Sequence, residues 1–369
     1  MSIPLQSILE IALDIVMNPL KRPQQHRDLV LPGIIAVGLV WSVGLLGFGV
    51  WQNLQTPQLQ REQPNNPAVK AVSENSTFAQ VNPVPSGRFR YSGSPNWSSI
   101  RLVVDSAIQS ERREYQLSYV QPKDKSANST TAIDLLIQDQ LDFVQSDRPL
   151  RPNEIKQAQT KGLQLQQIPV ATDGIAIAVH PSLTIPGLTL QELSDIYQGK
   201  ITNWQQVGGP NLAIQPFSLS VGSVGSVDIF LSKVMEGQSF SQTLDYFPNL
   251  TAALRKLAQS PGGILFGSSA EIVPQCTVKP VPIGQDTQER VAPYQAPYVL
   301  SEDCPNQRNR INSSAFLNQQ YPLTHPLYVI YAQGDEPAGE AYTQLLLSNQ
   351  GQELLQKAGF AQLSANPQP

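Results

Sequence analysis

The stretch from Val170 to Gly209 constrains the fold more than any other part of this 369-residue chain. Gly174 to Val179 is an apolar run with the length and composition of a buried strand. Pro181 stops it, and Pro186-Gly187 punctuates the loop that follows. Thr189-Leu-Gln-Glu192 has the form of a capping box: the threonine oxygen takes the amide of the third helical residue and the glutamate reaches back. Leu190, Leu193, Ile196 and Tyr197 recur at helical spacing, Gly199 can close the helix in the left-handed conformation, and Lys200 suits its negative end. Trp204 is large and apolar enough to anchor the next loop on the core.

The same alternation extends on both sides. Ile100, Val103, Val104, Ala107 and Ile108 form a helical stripe, and Tyr115 to Val120 reads as a short strand. A second helix is predicted from Ser129, with Ile133, Leu136, Ile137 and Leu141 on one face. Leu141 to Val144 is then a short strand running into Ser146-Asp147-Arg148-Pro149, and another strand lies near Leu163 to Val170. Beyond Trp204 come a strand over Leu212 to Leu219, a glycine turn at Gly222 to Ser226 and an amphipathic helix through Val227, Phe230, Leu231 and Val234. Thr251 to Leu257 and Gly263 to Gly267 read as helix and strand, Tyr321 to Tyr331 as a second crossing strand, and Ala341 to Phe360 as closing helices. This β/α order implies a doubly wound sheet.

The N-terminal quarter is of another kind. Leu29 to Trp51 carries no charged residue, and its 23 positions can cross a bilayer core of about 30 Å. A buried soluble helix would leave its five glycines and Pro32 unexplained. Lys21, Arg22 and Arg27 precede it and Arg61 alone follows, so the positive-inside rule places residues 1–28 in the cytoplasm. Residues 52–86 are rich in Gln, Asn and Pro, and read as a disordered linker between membrane and domain. The expected location is a single-pass protein of the inner or plasma membrane whose main domain, 87–369, is periplasmic or extracellular. Such a placement favours a disulfide between Cys276 and Cys304, the only two cysteines; two buried thiols would fit the opposite topology. The net charge of -4 argues against nucleic-acid binding.

As a whole string, VATDGIAIAVHPSLTIPGLTLQELSDIYQGKITNWQQVGG resembles the crossover segment of the phosphate-type (PstS-like) periplasmic solute-binding proteins that feed ABC importers. The runs IVPQCTVKPVPIG and CPNQRNRINSSAF resemble a disulfide-bearing subgroup of that family. The resemblance implies an α/β, two-lobed type II binding-protein fold, preceded here by one transmembrane helix. Lobe I would comprise about 87–173 plus a C-terminal return, and lobe II about 174–325. It also implies closure about two crossing strands, a phosphate-like small oxyanion as ligand and an ABC permease as partner.

Candidate ligand residues lie at three helix starts, where unpaired amides and the positive dipole end hold an oxyanion. These are Gly93-Ser94-Pro95-Asn96, Ser129-Thr130, and Val224-Gly225-Ser226. Serine and threonine also open ordinary helices as plain caps. The resemblance singles out Asp147, which aligns without gaps back to Ser129, as the family's ligand aspartate, an acceptor for a protonated phosphate oxygen. Asp147 could otherwise be a turn carboxylate paired with Arg148. The predicted ligand set is therefore Ser94, Asn96, Ser129, Thr130, Asp147, Gly225 and Ser226. Two positions depart from the family pattern: its arginine falls on Ser220 and its first-loop threonine on Pro95. Arg148, Arg101 and Arg90 are the candidates to replace the lost charge.

Enzymatic readings find little support. The histidines are His26, His180 and His325, the last two beside prolines, and no nucleophile elbow, zinc-protease, C-x-x-C or phosphate-loop pattern occurs. No catalytic residue, metal ligand or cofactor site is expected. The alternative to transport is a degenerate binding domain that senses a solute or holds a protein partner.

Overall fold

The computed structural model describes residues 76–123, 127–222, 224–304, 306–334 and 337–363. One fifteen-residue strand organises them. The strands in chain order are β1 (Gly87–Gly93), β2 (Tyr115–Tyr119), β3 (Phe143–Ser146), β4 (Leu165–Val179), β5 (Leu188–Thr189) and β6 (Gln215–Leu219). There follow β7 (Asp245–Phe247), β8 (Gly263–Ser268), β9 (Lys279–Val281), β10 (Ile283–Gly284) and β11 (Thr324–Ala332). Up to Ala171 and beyond to Gly174, β4 pairs antiparallel with β11; from Ile175 to Val179 it pairs instead with β8, with β9 on its other side. The hydrogen-bonded order β2-β1-β3-β11-β4-β8-β6-β7 thus breaks into two lobes that share β4. Within each lobe the neighbouring strands β1, β2 and β3, or β6, β7 and β8, are parallel, as a doubly wound arrangement requires.

The sequence predicts two strands where β4 is continuous. Thr172-Asp173 falls between those two predicted strands, and the buried Asp173 carboxylate is satisfied in place: it accepts from the Gly174 amide (2.7 Å) and from Ser268 Oγ (2.6 Å). At the point where β4 changes sheets, a Cβ on Gly174 would come 2.7 Å from the Phe316 ring and 2.8 Å from Ser269 Oγ, so only glycine fits there.

The helices are α1, whose segments Ser98–Ile100 and Ser106–Glu111 flank a π-helical turn at Arg101–Asp105, then α2 (Ser129–Ile137), α3 (Pro152–Thr160), α4 (Leu190–Tyr197) and α5 (Gly225–Lys233). After them come α6 (Leu250–Leu257), α7 (Ser269–Ile272), α8 (Ser313–Leu317), α9 (Ala338–Leu347) and α10 (Asn349–Lys357). At α4 the capping box has both expected bonds, Glu192 N to Thr189 Oγ1 at 3.1 Å and Thr189 N to Glu192 Oε2 at 2.7 Å. Gly199 follows with φ +76°, the left-handed closure read from the sequence.

Each lobe buries its own aromatic core. In lobe I, Phe143 stacks on Tyr342 at 4.5 Å; in lobe II, Phe230 stacks on Phe266 at 3.8 Å, with Tyr197 set edge-on to both. Trp204 is fully buried in the second core, and its indole N–H donates to the Gly262 carbonyl at 3.0 Å. Cys276 and Cys304 form a disulfide with Cα atoms 5.6 Å apart.

Two expectations need restating. Residues 76–86, read as the end of the linker, pack on lobe I: Phe78 is fully buried, and Arg112 Nη1 donates to the carbonyls of Phe78, Ala79 and Val81. The buried guanidinium supplies the donors that a chain lacking regular partners needs. The expected span Leu29–Trp51, the cytoplasmic segment 1–28 and the rest of the linker lie outside the described residues. Among the described residues no helix is long and apolar enough to cross a membrane.

Candidate functional site

In an open α/β sheet the crevice lies beyond the carboxyl ends of the parallel strands. Three such ends meet here. The loop after β1 begins at Ser94, the loop after β3 begins at Asp147, and the loop after β6 leads to the start of α5.

Ser94 caps a short 3-10 turn, Pro95–Trp97, its Oγ accepting from the Asn96 amide at 3.2 Å. Pro95 occupies the first position of that turn, where a backbone N–H has no intrahelical partner and proline costs nothing. The departure from the family's threonine is therefore compatible with the loop's geometry. Helix α2 begins at Ser129, as the sequence predicts, and is capped by Asn128, whose Oδ1 accepts from Thr131 N at 2.8 Å. That leaves the Ser129 hydroxyl free of capping duty and aimed at Asp147.

Asp147 is completely buried, and its carboxylate is where the segments converge. Oδ1 accepts from Ser129 Oγ at 2.6 Å. Oδ2 accepts from Ser94 Oγ, from Asn96 Nδ2 at 3.1 Å and from the Gly225 amide at 2.9 Å. The Asp147 amide in turn donates to Ser129 Oγ at 3.1 Å. Gly225 is the first residue of α5, in the other lobe, so this contact crosses the cleft and places an anion on the positive end of a helix. A Cβ on Gly225 would lie 2.4 Å from Asp147 Cγ, and the lobes can meet so closely only because that residue is glycine.

Of the predicted ligand set, Ser94, Asn96, Ser129, Asp147 and Gly225 come together. Ser226 is buried in the same first turn of α5. Thr130 turns elsewhere: its Oγ1 accepts from Arg148 Nη2 at 2.8 Å and from Arg151 Nη1 at 3.4 Å. The reading of Asp147 as a turn carboxylate paired with Arg148 is not what is observed. Arg148 is buried and forks onto Glu154, at 2.6 and 3.0 Å, because the equally buried Glu154 offers both oxygens to it.

Three residues escaped sequence reasoning. Asn128 Nδ2 donates across the cleft to the Gly222 carbonyl at 3.3 Å. Arg151 Nη2 donates to Asp228 Oδ2 at 2.7 Å, again from lobe I to lobe II. Burial pushes the Asp228 carboxyl above the ordinary aspartate range, and the charge of Asp147 adds to this, while Arg151 and Arg148 oppose it. No sequence signal links these residues, although an acidic residue in the first turn of α5 is visible as ordinary dipole pairing.

Chemically, four neutral donors from three segments form an oxyanion cradle around an acceptor-only group. Such a constellation can recognise an oxyanion that also carries a proton to give. Among the described residues no cluster of three His, Cys, Asp or Glu side chains could hold a metal ion.

Residues 80–350 match the family model of the PBP superfamily domain. The phosphate-binding protein PstS of Staphylococcus epidermidis is 26% identical over 219 residues, 57% of this chain and 61% of that protein; the chain thus spans about three fifths of this relative's length. Among solved structures, a Clostridium perfringens substrate-binding protein with bound phosphate superposes with TM-score 0.58 at 21% identity, covering 75% of this chain and all of that one. An ABC-type phosphate transport receptor from Vibrio cholerae gives TM-score 0.56 at 20% identity, with 74% and 99% covered. At these identities the structural likeness is one of fold.

Proposed function

The chain belongs to the PBP superfamily and is PstS-like, and from that premise we propose that it captures phosphate, or a related small oxyanion, between its two lobes for an ABC importer. The observation that carries this reading is the convergence of Ser94, Asn96, Ser129 and the Gly225 amide on one buried carboxylate where the two lobes meet. Hydroxyl, amide and helix-terminal donors are the groups that bind phosphate oxygens, and Asp147 supplies an acceptor for a protonated one. Fully deprotonated sulfate has no proton to offer it. Capture would proceed by rotation of the lobes about β4, the strand shared by both sheets, and the chain that enters β11 beside it. Binding followed by hand-over asks nothing catalytic of the site.

Residues 29–51 would anchor the protein in the inner or plasma membrane with 1–28 in the cytoplasm, and the stretch after them would tether the binding domain on the outer side. The lobes would divide as the sequence suggests, near the point where β4 changes sheets.

Equilibrium dialysis of the full chain against phosphate, with sulfate as competitor, tests the ligand assignment. Retention of phosphate that excess sulfate does not displace is expected. Equal retention of both anions, or of neither, would overturn it.

A further inference from the structure

An oxyanion held in a closed cleft needs a positive partner, yet every donor on Asp147 is neutral. The arginines around the cleft differ in how firmly they are engaged. Arg148 is buried, forked onto Glu154 and tied to Thr130 and the Pro149 carbonyl. Arg101 donates to the Ser94 carbonyl at 3.3 Å and to Gln145 Oε1 at 2.8 Å, and lies over the Tyr119 ring at 4.7 Å. Arg90 pairs with Asp142 and donates to the Asp139 carbonyl, within lobe I.

Arg151 stands apart. Its side chain is 43% exposed, so it can move without leaving a buried charge uncovered. Its guanidinium lies between the two helix starts that meet at Asp147. Nη1 is 3.4 Å from Thr130 Oγ1, in the first turn of α2, and Nη2 is 2.7 Å from Asp228 Oδ2, in the first turn of α5. We propose that Arg151 is the cation of the oxyanion site, paired with Asp228 of the facing lobe and passed from it to a bound oxyanion. This rests on the oxyanion-binding reading above. The pair ties one lobe to the other and places a guanidinium between their two helix starts. Burial, with the nearby Asp147 charge adding to it, raises the proton affinity of Asp228, against the pull of Arg151 and Arg148.

The test is calorimetry of the full chain with inorganic phosphate, comparing wild type with Arg151→Ala, Arg151→Lys and Asp228→Asn, each first shown to melt cooperatively. Arg151→Ala is expected to weaken binding by about tenfold to a hundredfold, the worth of charge-assisted hydrogen bonds. Arg151→Lys should fall between, lacking the planar fork. Asp228→Asn should bind more tightly than wild type, because the guanidinium no longer has a competing carboxylate. A pair that merely latches the lobes would instead weaken on losing either member, so weakening by Asp228→Asn overturns the proposal. Wild-type affinity in Arg151→Ala, alongside weakened binding in Asp147→Asn, overturns it while leaving the oxyanion reading intact. Absence of phosphate binding by wild type overturns both.

Discussion

Asp147 gathers the donors that the proposed oxyanion would share, so its replacement is expected to change which anion is preferred as well as how tightly it binds. An asparagine at 147 keeps the shape, but turns one acceptor into an N–H donor. Ligands that must give a proton lose their acceptor, and ligands without one gain a donor. Asp147→Asn is expected to bind phosphate about tenfold more weakly or worse, and to gain measurable sulfate binding, both read by competition dialysis. Much of this cluster was legible beforehand. Ser129 and Asp147 align without gaps, and Ser94 and Gly225 open recognisable turns. What could not be read was the pairing of Arg151 with Asp228, 77 positions apart and joined only because two lobes fold onto each other. Thr130 misled for the opposite reason: its position in the first turn is right, but its side chain rotates towards the arginines.

Among the elements, the junction of β4, β8 and α7 brings together the buried Asp173 and the half-buried Glu271. Asp173 and Glu271 face one another's charge there, with His325 Nε2 3.9 Å from Asp173. Burial above all, then the Asp173 charge, pushes Glu271 up to about 7, with Arg101 opposing. A raised acid contributes its stability fully below its unfolded value and loses it as pH rises through the folded one. The loss for Glu271 thus falls between about pH 4.5 and about pH 7. Glu271→Gln should match wild type in thermal stability near the acid end of that window and exceed it above the upper end, by no more than about 3 kcal/mol. An unchanged pH profile would contradict that sign. Strand and helix identities were largely readable here, since alternation and caps are local. The continuity of β4 was not, because the fitness of Asp173 within a strand depends on Ser268, 95 residues away.

For the whole molecule, the two-lobed architecture follows from one strand serving two sheets, and each lobe closes its own aromatic core. Lobe II is also stapled by Cys276–Cys304, which closes a loop of sequence separation 28. In the chain-entropy account such a loop is worth about 3 kcal/mol, so Cys276→Ser/Cys304→Ser should lower the denaturation midpoint accordingly, and a midpoint within error of wild type would remove the staple from the account. The architecture leaves the ligand to be decided by the cleft alone. Isothermal calorimetry of the full chain with phosphate at low salt, beside Asp147→Ala, addresses that most directly. Saturable one-to-one binding by wild type, lost in the variant, is the expected result. A folded, disulfide-bonded wild type that gives no heat, or an Asp147→Ala protein that binds phosphate just as well, would contradict it.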